Sequence, residues 1–134
     1  MCDVIGYMGK ARRIEELDVW KTGRELANVI YDLTNSGEFT QDFGLKDQIR
    51  RAAVGGMSNI AEGFHSRTDR GFANYLGIAR ASLGEVKSQL YLALDRKYID
   101  HDGFEFAYEL CDKSARQISK LMQYLEEDRT TYDV

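Results

Sequence analysis

The sequence predicts an all-α protein, an antiparallel up-down-up-down bundle of four helices. Apolar residues recur at alternating three- and four-residue spacings in four separate stretches, the signature of helices that bury one face. Proline is absent, so nothing in the chain obliges a helix to break, and no clear run alternates between apolar and polar. The connections between the periodic stretches are short, roughly three to ten residues, which suits helices folding back on their neighbours.

Residues 1–13 contain two glycines and no periodic pattern, and read as a flexible N-terminal arm ahead of a bundle spanning 14–126. The first helix is expected over about 14–35. Trp20, Gly23, Ala27, Ile30 and Thr34 form its stripe, widened by Val19, Leu26 and Leu33. Glu15, Glu16 and Asp18 occupy its first turn, where the helix dipole favours negative charge, and Asn35, Ser36 and Gly37 supply the stop. Phe39 and Phe43 in the connection are expected to fold inward and plug one end.

The second helix, about 44–63, carries its seam at Leu45, Ile49, Ala52, Ala53, Gly56 and Ile60. Gly55 and Gly56 in mid-helix cost about 1 kcal/mol each relative to alanine, a cost that close approach of a neighbouring helix would offset. Gly63 closes the helix. Ser66 or Thr68 caps the third, about 69–97, with its seam at Phe72, Leu76, Ala79, Leu83, Val86, Leu90 and Ala93. The fourth, about 102–126, has Asp102 and Glu105 in a capping-box pattern. Phe104, Ala107, Cys111, Ser114, Ile118, Leu121 and Leu125 then keep heptad spacing. Residues 127–134 form a polar C-terminal tail.

The chain has 134 residues, enough for one domain burying roughly two thirds of its unfolded surface. With 43% apolar and 30% charged residues it falls outside the disordered class. The net charge of −4 is uneven: Ile99 to Val134 holds nine acids against four bases, Lys46 to Arg70 five bases against three acids. A nucleic-acid surface would have to be a local patch. Cys2 and Cys111 do not suggest a disulfide framework. No signal peptide and no apolar run of roughly 20 residues appears, so a cytoplasmic protein without membrane contact is expected.

Little in the chain invites an enzyme, a cofactor or a metal. His65 and His101 fall in loops at opposite ends of the third helix. No pair of Glu-x-x-His motifs of the kind used by di-iron bundles, no phosphate-binding glycine loop and no nucleophile elbow occurs. Asn59 and Glu62 share a helix face. They could be an active-site acid beside an amide. The plainer reading is a structural polar network with Arg50, Ser82 and Glu85 that fixes helix register. Lys46, Arg51, Arg67 and Arg70 are candidates for a phosphate-binding patch near one loop, which Arg80 and Lys87 would extend along the third helix. A solvated face of mixed charge would look the same. Tyr75, Ile78 and Tyr91, with Tyr108 and Tyr124 on the fourth helix, leave more apolar surface than one seam needs. They are candidates for an oligomer interface.

Three segments, LDVWKTGRELANVIYDLT, FGLKDQIRRAAVGGMSNIAEGF and FANYLGIARASLGEVKSQLYLA, carry a family resemblance. Together they resemble the four-helix-bundle family named after proteins encoded in intervening sequences of bacterial 23S ribosomal RNA genes. The accessory variability protein of diversity-generating retroelements is similar to it too. The likeness spans Leu17 to Met122 and is most specific at QIRRAA followed by SNIAEG. Gly55, Gly56, Met57 and Ser58 stand where the family usually has Ser-Ile-Pro-Ser, and Ala81 replaces a usual glycine. The resemblance implies a cytoplasmic bundle assembling as a toroidal homopentamer, without enzymatic activity or cofactor. Its retroelement relative implies nucleic-acid and reverse-transcriptase binding through a basic surface. The expected function is therefore a non-enzymatic oligomeric bundle with RNA or DNA as candidate partner; the alternative is a protein–protein scaffold with no nucleic-acid role.

Overall fold

The computed structural model describes residues 11–133, with side chains through 127. The expected N-terminal arm lies outside the described residues except for its last three. Four helices, α1 (Asp18–Thr34), α2 (Phe43–Phe64), α3 (Asp69–Asp95) and α4 (His101–Asp133), carry the chain, with 3-10 turns at Ile14–Glu16 and Gly37–Gln41. No strand occurs among the described residues. Each helix lies against the next in sequence, and α1 also lies against α4.

α1 starts later than its periodicity suggests because Glu16 organises the chain ahead of it. The Glu16 carboxylate accepts the backbone N–H groups of Arg12 at 2.7 Å and Arg13 at 3.2 Å, which winds Ile14–Glu16 into a tight turn. Those two bonds also hold its carboxyl below the usual glutamate range. Leu17 is extended, with φ −84° and ψ 118°, and the helix restarts at Asp18. α4 differs at both ends. Its first turn is capped by Asp100, whose Oδ1 accepts the Gly103 N–H at 2.8 Å, in place of the expected box of Asp102 and Glu105. Its backbone stays helical through Asp133, past the expected end at 126.

The predicted seams are the core. Every seam position expected in α2, α3 and α4 is buried; in α1 Trp20 and Leu33 are half-buried and the rest of the stripe is buried. Close helix approach, however, occurs at other glycines than expected. A β-carbon on Gly63 would lie 2.8 Å from the Tyr75 Cβ, 2.9 Å from the Phe72 ring and 3.2 Å from the Phe72 carbonyl. One on Gly23 would meet the Met57 Cβ at 3.3 Å. At Gly55 and Gly56 the nearest atoms stand at 3.9 Å, an ordinary contact distance that leaves room for a methyl group.

The loops meet at one end of the core. Phe39 is fully buried, but Phe43 is 75% exposed, so only one of the two phenylalanines plugs the bundle. The partner of Phe39 is Tyr98, stacked with ring centroids 5.1 Å apart. Tyr98 is delivered by the end of α3, where its N–H reaches the Ala93 carbonyl and the Lys97 N–H reaches Leu94, both at 2.9 Å. That paired closure needs a left-handed residue, and Lys97 supplies it at φ 62°. Asp42 ties the arrangement together: Oδ1 caps α2 by accepting the Leu45 N–H at 3.1 Å, and Oδ2 accepts the Tyr98 hydroxyl at 3.0 Å.

Candidate functional site

The expected basic patch does not sit in one place. Lys46 and Arg51 lie in the first half of α2, whereas Arg67 and Arg70 flank the loop after it. At 1.5 Å per residue, Arg51 stands about 20 Å along the helix from Phe64. Arg51 is also engaged, its Nη2 2.7 Å from Asp47 Oδ2 in an exposed i, i+4 pair that raises the guanidinium pKa. Lys87 is engaged as well. It forms an ion pair with Asp112 of α4, which holds its ammonium pKa above the ordinary lysine value. Its Nζ lies 4.7 Å from the Tyr108 ring centroid. Lys87 therefore fastens α3 to α4.

Arg67, Arg70 and Arg80 are exposed, with no ion pair to any described carboxylate. Arg80 Nη1 donates to Ser119 Oγ of α4 at 3.3 Å. That contact brings in two cations the sequence reading missed. Arg116 and Lys120, exposed on α4, are four residues apart and share a face, with Ser119 immediately before Lys120. Their spacing was visible, but their nearness to Arg80 needed the α3–α4 packing. Arg80 with Arg116 and Lys120 form a small basic cluster where α3 meets α4, and Arg67 and Arg70 stand apart from it at the start of α3.

The five residues expected to form one polar network bond separately. Arg50 Nε donates to Thr34 Oγ1 at 2.8 Å, and its guanidinium lies 4.2 Å from the Tyr31 ring centroid, so it ties α2 to α1. Asn59 Nδ2 donates to the Gly55 carbonyl at 2.8 Å and Ser82 Oγ to the Ile78 carbonyl at 3.3 Å, each within its own helix. Glu62 and Glu85 are exposed. Hydrogen bonds of α2 and α3 backbone carbonyls absorb what was expected to cross between helices.

The expected interface residues separate into different faces. Tyr91, Phe104 and Tyr108 cluster across α3 and α4, with ring centroids 4.9 to 5.8 Å apart. Tyr75 covers Gly63 on the α2 side, Ile78 is exposed, and Tyr124 packs against the core from α4. Among the described residues no group of three His, Cys, Asp or Glu side chains could hold a metal. No described helix is long and apolar enough to cross a membrane. The surface hollows include an open groove around the Asp42 cap, lined by Glu38, Gln41, Phe43, Gly44 and Tyr98.

The family model for the 23S rRNA-intervening sequence protein matches residues 15–120. The chain belongs to that family. The match runs from the turn before α1 into the middle third of α4, so it takes in α1, α2, α3 and more than half of α4. Among solved structures, the family's fold is shared by a protein of unknown function from the S23 ribosomal protein family of Bacteroides thetaiotaomicron. The TM-score is 0.72 at 20% identity, covering 78% of this chain and 95% of the other. No match is found among curated proteins.

Proposed function

We propose that this family member is a non-enzymatic up-down-up-down bundle that self-assembles, as a toroidal homopentamer, and holds RNA or DNA on its exposed basic residues. The observation that carries the nucleic-acid reading is the set Arg67, Arg70, Arg80, Arg116 and Lys120, all exposed and unpaired with any described carboxylate. Unpaired arginines offer forked donors to phosphate oxygens, and each contact releases counterions. Arg51 and Lys87, each already held by an aspartate, are supporting residues in this reading. The protein would act in the cytoplasm as a carrier or organiser of a nucleic acid and would need no cofactor.

The test is binding of a labelled structured RNA and a DNA duplex, titrated across salt. Affinity should fall steeply as salt rises, and Arg67→Ala with Arg70→Ala and Arg80→Ala should weaken binding at least tenfold and flatten the salt slope. Arg51→Ala should leave it within twofold. Absence of salt-dependent binding to either polymer overturns the reading. The net charge of −4 favours a second reading, a protein scaffold with no nucleic-acid role. A partner captured equally well after nuclease treatment would support it.

A further inference from the structure

The line along which α3 meets α4 changes character from one end to the other, and four contacts set its register. A β-carbon added at Gly77 would lie 3.8 Å from the Met122 Cε, Arg80 reaches Ser119, Lys87 pairs with Asp112, and Tyr91 packs on Tyr108 with ring centroids 5.8 Å apart. Arg80, Gly84, Lys87 and Tyr91 are spaced i, i+4, i+7 and i+11, so they form one stripe of α3. Nothing lies within 4 Å of a β-carbon added at Gly84, which leaves the stripe open between Arg80 and Lys87.

The Arg80 end is cationic. Between Arg70 and Glu85 the only charged residue of α3 is Arg80, and between Glu109 and Glu126 α4 carries Lys113, Arg116, Lys120 and the single acid Asp112. Lys87 already holds Asp112. Arg80, Lys113, Arg116 and Lys120 are exposed, and none has an ion-pair partner among the described residues. At the other end charge gives way to rings. Tyr91 is 51% exposed, yet it is braced by the buried Phe104, at 4.9 Å between centroids, and by Tyr108. Glu105 also stands near Tyr91, with Glu109 one turn farther along α4.

Cations that lead to a fixed, half-exposed ring suit a single strand: the cations follow its phosphates and the ring stacks an unpaired base. A duplex keeps its bases paired and stacked inside, and offers a lone surface ring no base face. We propose that the polymer this protein holds is single-stranded, with phosphates on Arg80, Arg116 and Lys120 and one unpaired base stacked on Tyr91. The proposal rests on the nucleic-acid reading and narrows its ligand class. Arg80 and Tyr91 stand about 16 Å apart along α3, a span of a few nucleotides of extended strand. Glu105 and Glu109 disfavour a phosphate beside Tyr91 and leave that end to a base, which carries no charge. Because Phe104 and Tyr108 already fix the Tyr91 ring, stacking costs little ordering. Lys87, its Nζ 4.7 Å from the Tyr108 ring centroid, holds the brace in place.

The experiment titrates the full chain against a labelled single-stranded oligonucleotide of mixed sequence, as RNA and as DNA, and against the same DNA annealed to its complement. The single strands should bind about tenfold more tightly than the duplex, or better, at one salt concentration. Tyr91→Leu should weaken single-strand binding about fivefold or more and leave the salt slope unchanged, since the ring touches no phosphate. Tyr91→Phe keeps the ring and should stay within about twofold. Arg80→Ala should instead flatten the slope. Circular dichroism and light scattering follow helicity and mass; if Tyr91→Leu loses helicity, the strand preference of the wild-type chain decides. A duplex bound as tightly as the single strands, a Tyr91→Leu chain that binds like wild type, or affinity lost only together with a change of mass overturns the proposal while the nucleic-acid reading stands. Absence of salt-dependent binding to all three polymers defeats that reading itself, and the proposal with it.

Discussion

Gly63 is held where it is by its neighbours: helix α3 leaves no space for a β-carbon, and one of the atoms in the way is the Phe72 carbonyl. Backbone cannot swing aside as a long side chain can. Gly63→Ala should therefore destabilise the fold by about 1–3 kcal/mol, the usual range for overpacking a tight contact. Gly84, inside α3, has nothing within 4 Å of the same added atom. There the gain in helix propensity is unopposed, and Gly84→Ala should stabilise by up to about 1 kcal/mol. Urea unfolding of the two variants distinguishes a helix contact from a propensity effect. Cys111 makes a different residue-scale prediction. Burial pushes its thiol pKa up to about 12 from an ordinary value of 9.0. Below pH 9.0 neither state loses the proton, so stability is unaffected. Above it the unfolded chain ionises while the folded chain cannot, and stability falls by up to about 1.4 kcal/mol per pH unit. Cys111→Ala should abolish the part of the alkaline decline that begins near the ordinary thiol value. The part due to Lys87 should remain, because its raised pKa makes its ion pair with Asp112 fail only above the ordinary lysine range. Melting temperatures against pH separate the two.

Among the elements, the junction of the α1–α2 connection with the α3–α4 turn depends on one carboxylate doing two jobs. Asp42 caps α2 and accepts the Tyr98 hydroxyl, while Tyr98 stacks on Phe39. Asp42→Ala should cost about 1–2 kcal/mol through the lost cap and the orphaned hydroxyl. Tyr98→Phe keeps the stack and should cost about 1 kcal/mol. Since both remove one shared bond, the double variant should cost less than the two together, a result checked by a chemical-denaturation cycle. The Lys87–Asp112 pair and the Arg50–Thr34 bond do similar work, each joining adjacent helices.

At the scale of the whole molecule, charge is unevenly spread. The N-terminal half of α4 presents carboxylates, and Arg80 with Arg116 and Lys120 stand together where α3 meets α4, whereas α1 and α2 mix exposed acids and bases. The salt-dependent binding experiment described above therefore probes the arginines alone: changes at Arg67, Arg70 and Arg80 should alter affinity for a nucleic acid without altering the mass of the assembly. The core was legible from spacing because a helix buries every third or fourth residue whatever it packs against. The candidate surfaces were legible only as lists. Arg51 and Arg67 look alike in sequence, yet Asp47 lies one turn from Arg51 and no described carboxylate pairs with Arg67. Tyr91 and Ile78 both stand outside the α3 seam, yet Tyr91 meets a ring cluster on α4 whereas Ile78 meets solvent.

By itself the sequence determined the number of helices, their seams, the family to which the chain belongs and the burial of Phe39, because these follow from periodicity and local chemistry. Tertiary structure decided the rest. It moved the tight glycine contact from Gly55 and Gly56 to Gly63 and Gly23, since the distance between two helices belongs to neither alone. It turned Phe43 outward and made Asp100, one residue before α4, the helix cap in place of Asp102. It also brought Arg116 and Lys120 beside Arg80, residues far apart in the chain, because side chains distant in sequence become one surface only when two helices are laid side by side.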